Sequence, residues 1–362
     1  MANGDFIQDC HILSTWDVGA AGGTREDLLD VIVNMSPEET RFLSGWPKVP
    51  ARNITHEWLL DSLEAPGDPD NGDADVHCTG ESSDAVFPVL HPRCRVNNLT
   101  HIFRATYDVS ETQRAVDNAG MADEYAYQKM KALRELSMKI EFALIHSIRA
   151  LQFVPQAEYP GVCGSPTGCR KMDGIFSVID WTTDSFACLD SDKQGTVLDP
   201  SGSPCTYLNP DILDDLHELM WGKGAKPKTV YVNAFQKRRI SKFYLSGQTR
   251  NSSVEDKKLT NVVDVYESDF GLRKIYLHRY MPTRRVLVLD EDYIRIAVLR
   301  PVKSYELAKV GNSDKGMIEG EMTLEFRAPA AGGYIEGLCN AIGEAGGEGY
   351  CNFGTLNAPN CE

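Results

Sequence analysis

Apolar positions along residues 123–151 recur every three or four residues: Ala126, Met130, Leu133, Ile140, Leu144, Ile148 and Leu151 fall on one stripe. That period predicts one long amphipathic helix, with Glu135 and Lys139 forming an i,i+4 pair on its surface. At about 1.5 Å per residue it would reach roughly 44 Å, beyond the three or four turns usual in a globular domain, so it reads as a spine. From His56 to Val109 the pattern is that of extended chain. Leu99, His101, Phe103, Ala105, Tyr107 and Val109 take one side of a period-two alternation, and Thr100, Ile102, Arg104, Thr106 and Asp108 take the other. Pro66 to Cys94, rich in Pro, Gly, Asp and Ser, is too polar to pack and reads as the exposed end of a long hairpin.

The first 23 residues look like a loose arm. A short helix comes next, with Thr24 as cap and Leu28, Leu29, Val31 and Ile32 as its apolar face. Ser36-Pro37-Glu38-Glu39 then starts a second helix: Ser36 and Glu39 form a capping box, and proline stands where its missing N–H costs nothing. Asn209-Pro210-Asp211 starts another helix, ending near Gly222 and Gly224. Thr229–Val232 reads as a strand, and Phe235, Ile240 and Phe243 suit a helix. The runs Asn261–Val265, Lys274–Leu277, Arg285–Leu289 and Ile294–Leu299 are β-branched and strand-like. Helices and strands alternate without regular βαβ spacing, which favours an α+β fold. The stretch from Gly332 is Gly-rich and aperiodic, and there is no internal repeat.

Composition changes this picture in two ways. With 362 residues, 42% hydrophobic and 25% charged, the chain can bury a substantial core spread over about two domains. No apolar run nears the roughly 18 residues needed to span a bilayer, and Met1 to Gly23 lacks a secretory pattern, so synthesis in a cytoplasm is expected. The net charge of -15 is uneven: residues 1–100 hold 17 acidic against 6 basic side chains, while residues 226–285 hold 14 basic against 5 acidic. The split reads either as solvated faces or as opposed patches that dock between chains. It disfavours a dedicated nucleic-acid binder, which needs positive charge over its whole binding surface.

Candidate chemistry is sparse. Asp68, Asp70, Asp73 and Asp75 resemble a calcium loop, but Gly72 stands where Asp or Asn is required and Pro69 interrupts, so a solvated acidic tip is the plainer reading. His56-Glu57 and His217-Glu218 lack the second histidine at i+4 that zinc would need. There is no G-x-S-x-G elbow, and Gly19–Gly23 and Gly343–Gly349 lack phosphate-loop context. Of ten cysteines, Cys163 and Cys169 are spaced for a small disulfide-closed loop, and Cys163, Cys169, Cys188 and Cys205 are a weaker zinc set. Cys78 and Cys94, in the polar hairpin end, are further candidates for disulfides or cross-links, and Cys339, Cys351 and Cys361 in the tail are candidates for cross-links between chains; free thiols are the alternative throughout. Lys237-Arg238-Arg239, beside Lys242, is either the wet side of a helix or a contact for a neighbour's acidic loop or for DNA.

Several stretches, taken in order, resemble the tailed-phage major capsid proteins of the Hong Kong ninety-seven fold, in the branch typified by the phage SU-ten major head protein. They are MSPEETRFLS from Met35 to Ser44, HEWLLDSLEAPG from His56 to Gly67, NNLTHIFRATYDVSETQRAVDNAG from Asn97 to Gly120, VDVYESDFG from Val263 to Gly271, VLVLD from Val286 to Asp290, AVLRP from Ala297 to Pro301, and LAKVGNSDKGMIEGEMTLEFR from Leu307 to Arg327. The resemblance covers most of residues 24–331. It implies an N-terminal arm with short helices (1–51), an extended hairpin or E-loop (52–112), a peripheral domain (113–169 and 286–335) carrying the spine helix, and an axial domain (170–285). The Gly/Cys-rich tail (336–362) and the insertion at 76–94 depart from the family pattern. The resemblance further implies a shell subunit without cofactor or catalysis, assembling with its own copies into pentamers and hexamers around packaged double-stranded DNA. Portal, scaffold or decoration proteins and non-specific DNA contact are the further partners it implies, with no membrane and a place in the virion. A tail-tube or decoration protein is the nearer rival, an α+β enzyme the more distant one.

Overall fold

The computed structural model describes residues 40–61, 81–82, 84, 93–116, 123–152, 169–186, 188–200, 205–243, 265–309 and 311–340. In chain order the elements are α1 (Arg41–Gly45), β1 (Lys48–Pro50), β2 (Thr55–Leu60), β3 (Cys94–Leu99), β4 (His101–Ser110), α2 (Glu111–Ala115), α3 (Glu124–His146), β5 (Ala150–Gln152), β6 (Cys169–Lys171) and α4 (Ile175–Ile179). The second half holds β7 (Thr196–Leu198), α5 (Pro210–Gly222), β8 (Thr229–Val232), α6 (Ala234–Phe243), β9 (Val265–Ser268), β10 (Gly271–Leu277), β11 (Val286–Leu289), β12 (Ile294–Glu306), β13 (Ser313–Phe326) and β14 (Gly332–Ile335). The arm and its helix at Thr24, the capping box at Ser36 to Glu39 and most of the hairpin end lie outside the described residues, as does the tail beyond residue 340.

Two sheets organise the chain: four strands in the order β1-β12-β13-β4, and six in the order β7-β14-β11-β8-β10-β9. The spine helix α3 covers the first. Asp123 caps it by accepting from the Tyr125 N–H at 3.0 Å, and Ala132, Leu136, Ile140, Ala143 and Leu144 are buried along its length. Beneath them lie Phe103, Ala105, Tyr107 and Val109, the alternate residues of β4. The buried stripe differs from the expected one in its first half, because Met130 and Leu133 are 58% and 46% exposed while Ala132 and Leu136 face the sheet. The helix also stops at His146; Ser147 turns to extended backbone and residues 150–152 pair with β6 instead.

Two boundaries drawn from sequence move. The hairpin stem is β2 against β3, from Thr55↔Leu99 to Leu60↔Cys94, whereas β4 leaves it to pair with β13 from Met322↔His101 to Ser313↔Ser110. Its apolar side needs α3 as cover, which the stem cannot provide. The six-stranded sheet likewise draws in β11 and β14, which the sequence placed with the peripheral unit. In β14 glycine serves close packing and not flexibility: a Cβ on Gly332 would meet the Phe326 ring at 2.8 Å, and one on Gly333 would meet Met220 Sδ at 2.9 Å.

Buried polar groups tie these pieces together. Glu141, wholly buried in α3, accepts from the backbone N–H of Phe42 (2.8 Å) and Leu43 (2.9 Å), closing the start of α1 onto the spine. His278 Nε2 lies 2.9 Å from the same carboxylate, and its Nδ1 accepts from the Tyr280 N–H, which fixes Nε2 as the donor. At the hairpin base Asn98 Nδ2 donates to the carbonyls of Asp173 and Leu324, and the Asp173 N–H returns a bond to Asn98 Oδ1. Among the described residues two disulfides add covalent ties, Cys94–Cys188 between β3 and the loop after α4, and Cys205–Cys339 beside the Thr206↔Leu338 bridge.

Candidate assembly surfaces

The six-stranded sheet ends on one side at β9, whose outer backbone edge has no partner strand among the described residues. β9 and β10 form a hairpin turning at Gly271, and this edge carries an unusual density of bare apolar side chains. Trp221 at the end of α5 is 64% exposed and Leu272 63%, with Val265, Leu277 and Leu219 each about half exposed. Trp221, Pro227, Phe270 and Leu272 wall a recess of about 460 Å³ rimmed by Lys226 and Lys228. Under it the support is rigid. Tyr266 Oη donates to both oxygens of Asp214 at 2.7 and 2.8 Å, and buried Arg273 donates to the Phe270 carbonyl at 2.9 Å. His217 is fully buried, its nearest carboxylate oxygen 3.9 Å away on Asp214; burial, with Arg273 adding repulsion, pushes its pKa down to about 3. At the opposite edge, β7, Val197 is 40% exposed, with exposed Asp192 shortly before the strand and exposed Asp199 directly after it.

The four-stranded sheet presents a different surface. On β13 the even residues Ile318, Met322, Leu324 and Phe326 are buried apolar groups, and the odd ones Glu319, Glu321 and Glu325 form a carboxylate row on the other face. Each acid is paired: Arg104 and Arg300 hold Glu319 at 2.6 and 2.7 Å, Arg170 and Arg300 hold Glu321 at 2.9 Å each, and Arg327 and His56 hold Glu325 at 2.6 and 2.8 Å. Burial alone would raise the Glu319 and Glu325 carboxyls, but these cations outweigh it and hold both below the usual range. Arg104, Arg300 and Arg327 stay half exposed, so the face is a lattice of charges, each with a partner.

The fold scatters the residues singled out from sequence. Asp68, Asp70, Asp73, Asp75, Cys78, Cys163, Cys351 and Cys361 lie outside the described residues; Cys169 starts β6. Cys94 forms a disulfide with Cys188 and Cys339 one with Cys205, both within the chain, which removes Cys339 from the set expected to link chains. Those bonds also take Cys188 and Cys205 out of the zinc set, and among the described residues no three His, Cys, Asp or Glu converge as metal ligands. On α6, Lys237 Nζ donates to the Ile275 carbonyl at 3.3 Å and Arg239 stacks over the Tyr207 ring at 4.4 Å, leaving Arg238 exposed. The basic run is thus largely engaged in its own fold. Sequence reasoning overlooked the Trp221 and Leu272 edge, because both read as core residues until the sheet order is known.

Residues 14–339 match the protein family described as SU10 major capsid protein. The chain is 26% identical over 328 residues to a major capsid protein of Escherichia phage Phieco32, covering 83% of this chain and 90% of that one. Among solved structures it is similar to the capsid asymmetric unit of cyanophage A-1(L), with a TM-score of 0.62 at 11% identity over 87% of this chain and 97% of the other. It is also similar to the capsid of a native GTA particle, with a TM-score of 0.60 at 10% identity over 89% and 99% of the two chains.

Proposed function

The chain belongs to the SU10 major capsid protein family, and on that premise we propose that its copies join head to tail through the two edges of the six-stranded sheet. It is a phage major capsid protein of the Hong Kong ninety-seven-type fold, with a structural rather than catalytic role. The observation that carries the proposal is the bare apolar edge of β9 and β10. Trp221 and Leu272, rimmed by Lys226, would seat against the next copy's β7 edge, where Asp192 and Asp199 supply the opposite charge. Two different surfaces meeting in this way make a heterologous contact, which closes into rings when the rotation fits five or six copies. The six-stranded unit then sits nearest the ring axis, while the spine unit and the hairpin on the β2–β3 stem extend towards neighbouring rings. Pentamers and hexamers so formed would enclose packaged double-stranded DNA, with a portal at one vertex and scaffold or decoration proteins as further partners.

The test is the double variant Trp221→Ser, Leu272→Ser in the full chain, assayed by sedimentation and electron microscopy. Because both side chains are exposed within the subunit, the variant should unfold within a few degrees of the parent while its yield of closed shells falls at least tenfold. Undiminished shell formation would refute the edge contact.

A further inference from the structure

The four-stranded sheet also ends on an open strand, β4, and between that edge and α3 runs a groove of about 670 Å³. Its walls are apolar. Phe103 and Ala143 form the floor, and Ile102, Met138, Phe142 and Tyr280 the sides, with Phe142 still 52% and Ile102 39% exposed. Arg104 and Lys139 stand at its rim against a single acid, Glu135. Unfilled, such a surface leaves large apolar side chains in water.

We propose that residues 24–35 of the same chain fill this groove with the apolar face of Leu28, Leu29, Val31 and Ile32. Continuity is the first argument. The described chain begins at Thr40, and the N–H groups of Phe42 and Leu43 are held by Glu141, the neighbour of Phe142 on α3. The same carboxylate binds His278, whose Nδ1 receives the N–H of Tyr280 at the groove's end. One hydrogen-bonded cluster therefore joins the point where the chain enters to the groove. Reach is the second: with the helix expected from Pro37, the eight residues from Ile32 to Thr40 can still span about 19 Å, whereas the groove along α3 from Glu135 to Ala143 is about 12 Å long. Charge is the third. The segment carries Glu26, Asp27 and Asp30 against Arg25, a net of -2, opposite a rim with Lys139, one acid in Glu135, and Arg104, which is already held by Glu319 but still half exposed. The docked segment is an internal brace, which leaves residues 1–23 as the part of the arm free to meet other copies.

This inference does not rest on shell formation and is tested separately from it. The photo-reactive residue p-benzoylphenylalanine is placed at Phe142 in the full chain, and at Ile102 in a second variant in case the first folds poorly. The proteins are irradiated in an equal mixture of normal and heavy-isotope copies, and the linked peptides are identified by mass spectrometry. The proposal expects links to residues 24–35 within single copies, lost at least tenfold when Leu28→Asp and Ile32→Asp are introduced. Links that are mixed-isotope in half of the products would mean a neighbour's segment fills the groove, and links elsewhere or none to 24–35 would mean another occupant; either result overturns it.

Discussion

Glu141 occupies a position where a carboxylate with no access to water replaces the missing partners of a helix start. Removing it orphans the N–H groups of Phe42 and Leu43 and strands the His278 Nε2–H. We predict that Glu141→Ala costs about 2–4 kcal/mol in denaturant unfolding, and Glu141→Gln less, since one acceptor remains. Nothing in the sequence marked Glu141, because its partners lie about a hundred positions earlier and later. His217 was visible only as a histidine that could not bind zinc. Its pKa is pushed to about 3 by burial, then by Arg273, whereas the unfolded imidazole titrates near 6.5. Between those two values the unfolded chain holds a proton that the folded chain refuses, so stability falls as pH drops from about 6.5 towards 3 and is unaffected by this group above that window. His217→Leu should flatten the fall in melting temperature between pH 6.5 and 4; an unchanged slope would mean that the site does not titrate as described. His101, pushed to about 4 by burial and then by Lys171, adds a second contribution of the same sign.

At the scale of elements, strongly periodic segments were legible and boundaries were not. The helix at Asn209 starts where its cap says, with Asn209 Oδ1 accepting from the Ile212 N–H at 3.1 Å, because side-chain capping is a local interaction. The alternation in β4 was equally clear, but its partner was not, since pairing with β13 joins segments about two hundred residues apart. β14 was missed because its two glycines read as flexible loop, and only the approach of Phe326 and Met220 explains them. The disulfides were illegible for the same reason as the strand pairing, being closures over sequence separations of 94 and 134 residues. One ties the hairpin base, and the other the stretch after β14, to a loop preceding the helices of the six-stranded unit. We predict that Cys94→Ser with Cys188→Ser lowers stability by about 2–5 kcal/mol under oxidising conditions, and that reductant, which opens both bonds in the parent but only Cys205–Cys339 in the variant, brings the two to the same stability. Equal stability of parent and variant without reductant would show that the bond does not form in solution.

For the whole molecule, the α+β class came from pattern and resemblance, while the surfaces proposed for assembly came from the fold. Sequence reasoning looked for assembly chemistry in charge, at Lys237 to Arg239 and the acidic hairpin. The basic run proved to be held largely by Ile275 and Tyr207. An exposed edge cannot be recognised from sequence, because Trp221 and Leu272 look like core residues until the sheet order places β9 at the rim. In the proposed ring, this edge of one copy meets the β7 edge of the next. Electron cryomicroscopy of particles grown from the full chain tests it most directly. Shells are expected in which Trp221 and Leu272 of each subunit are buried against the Asp192 and Asp199 loops of its ring neighbour. Shells in which that edge stays in solvent, or a chain that remains a monomer at every concentration and salt tried, would contradict it.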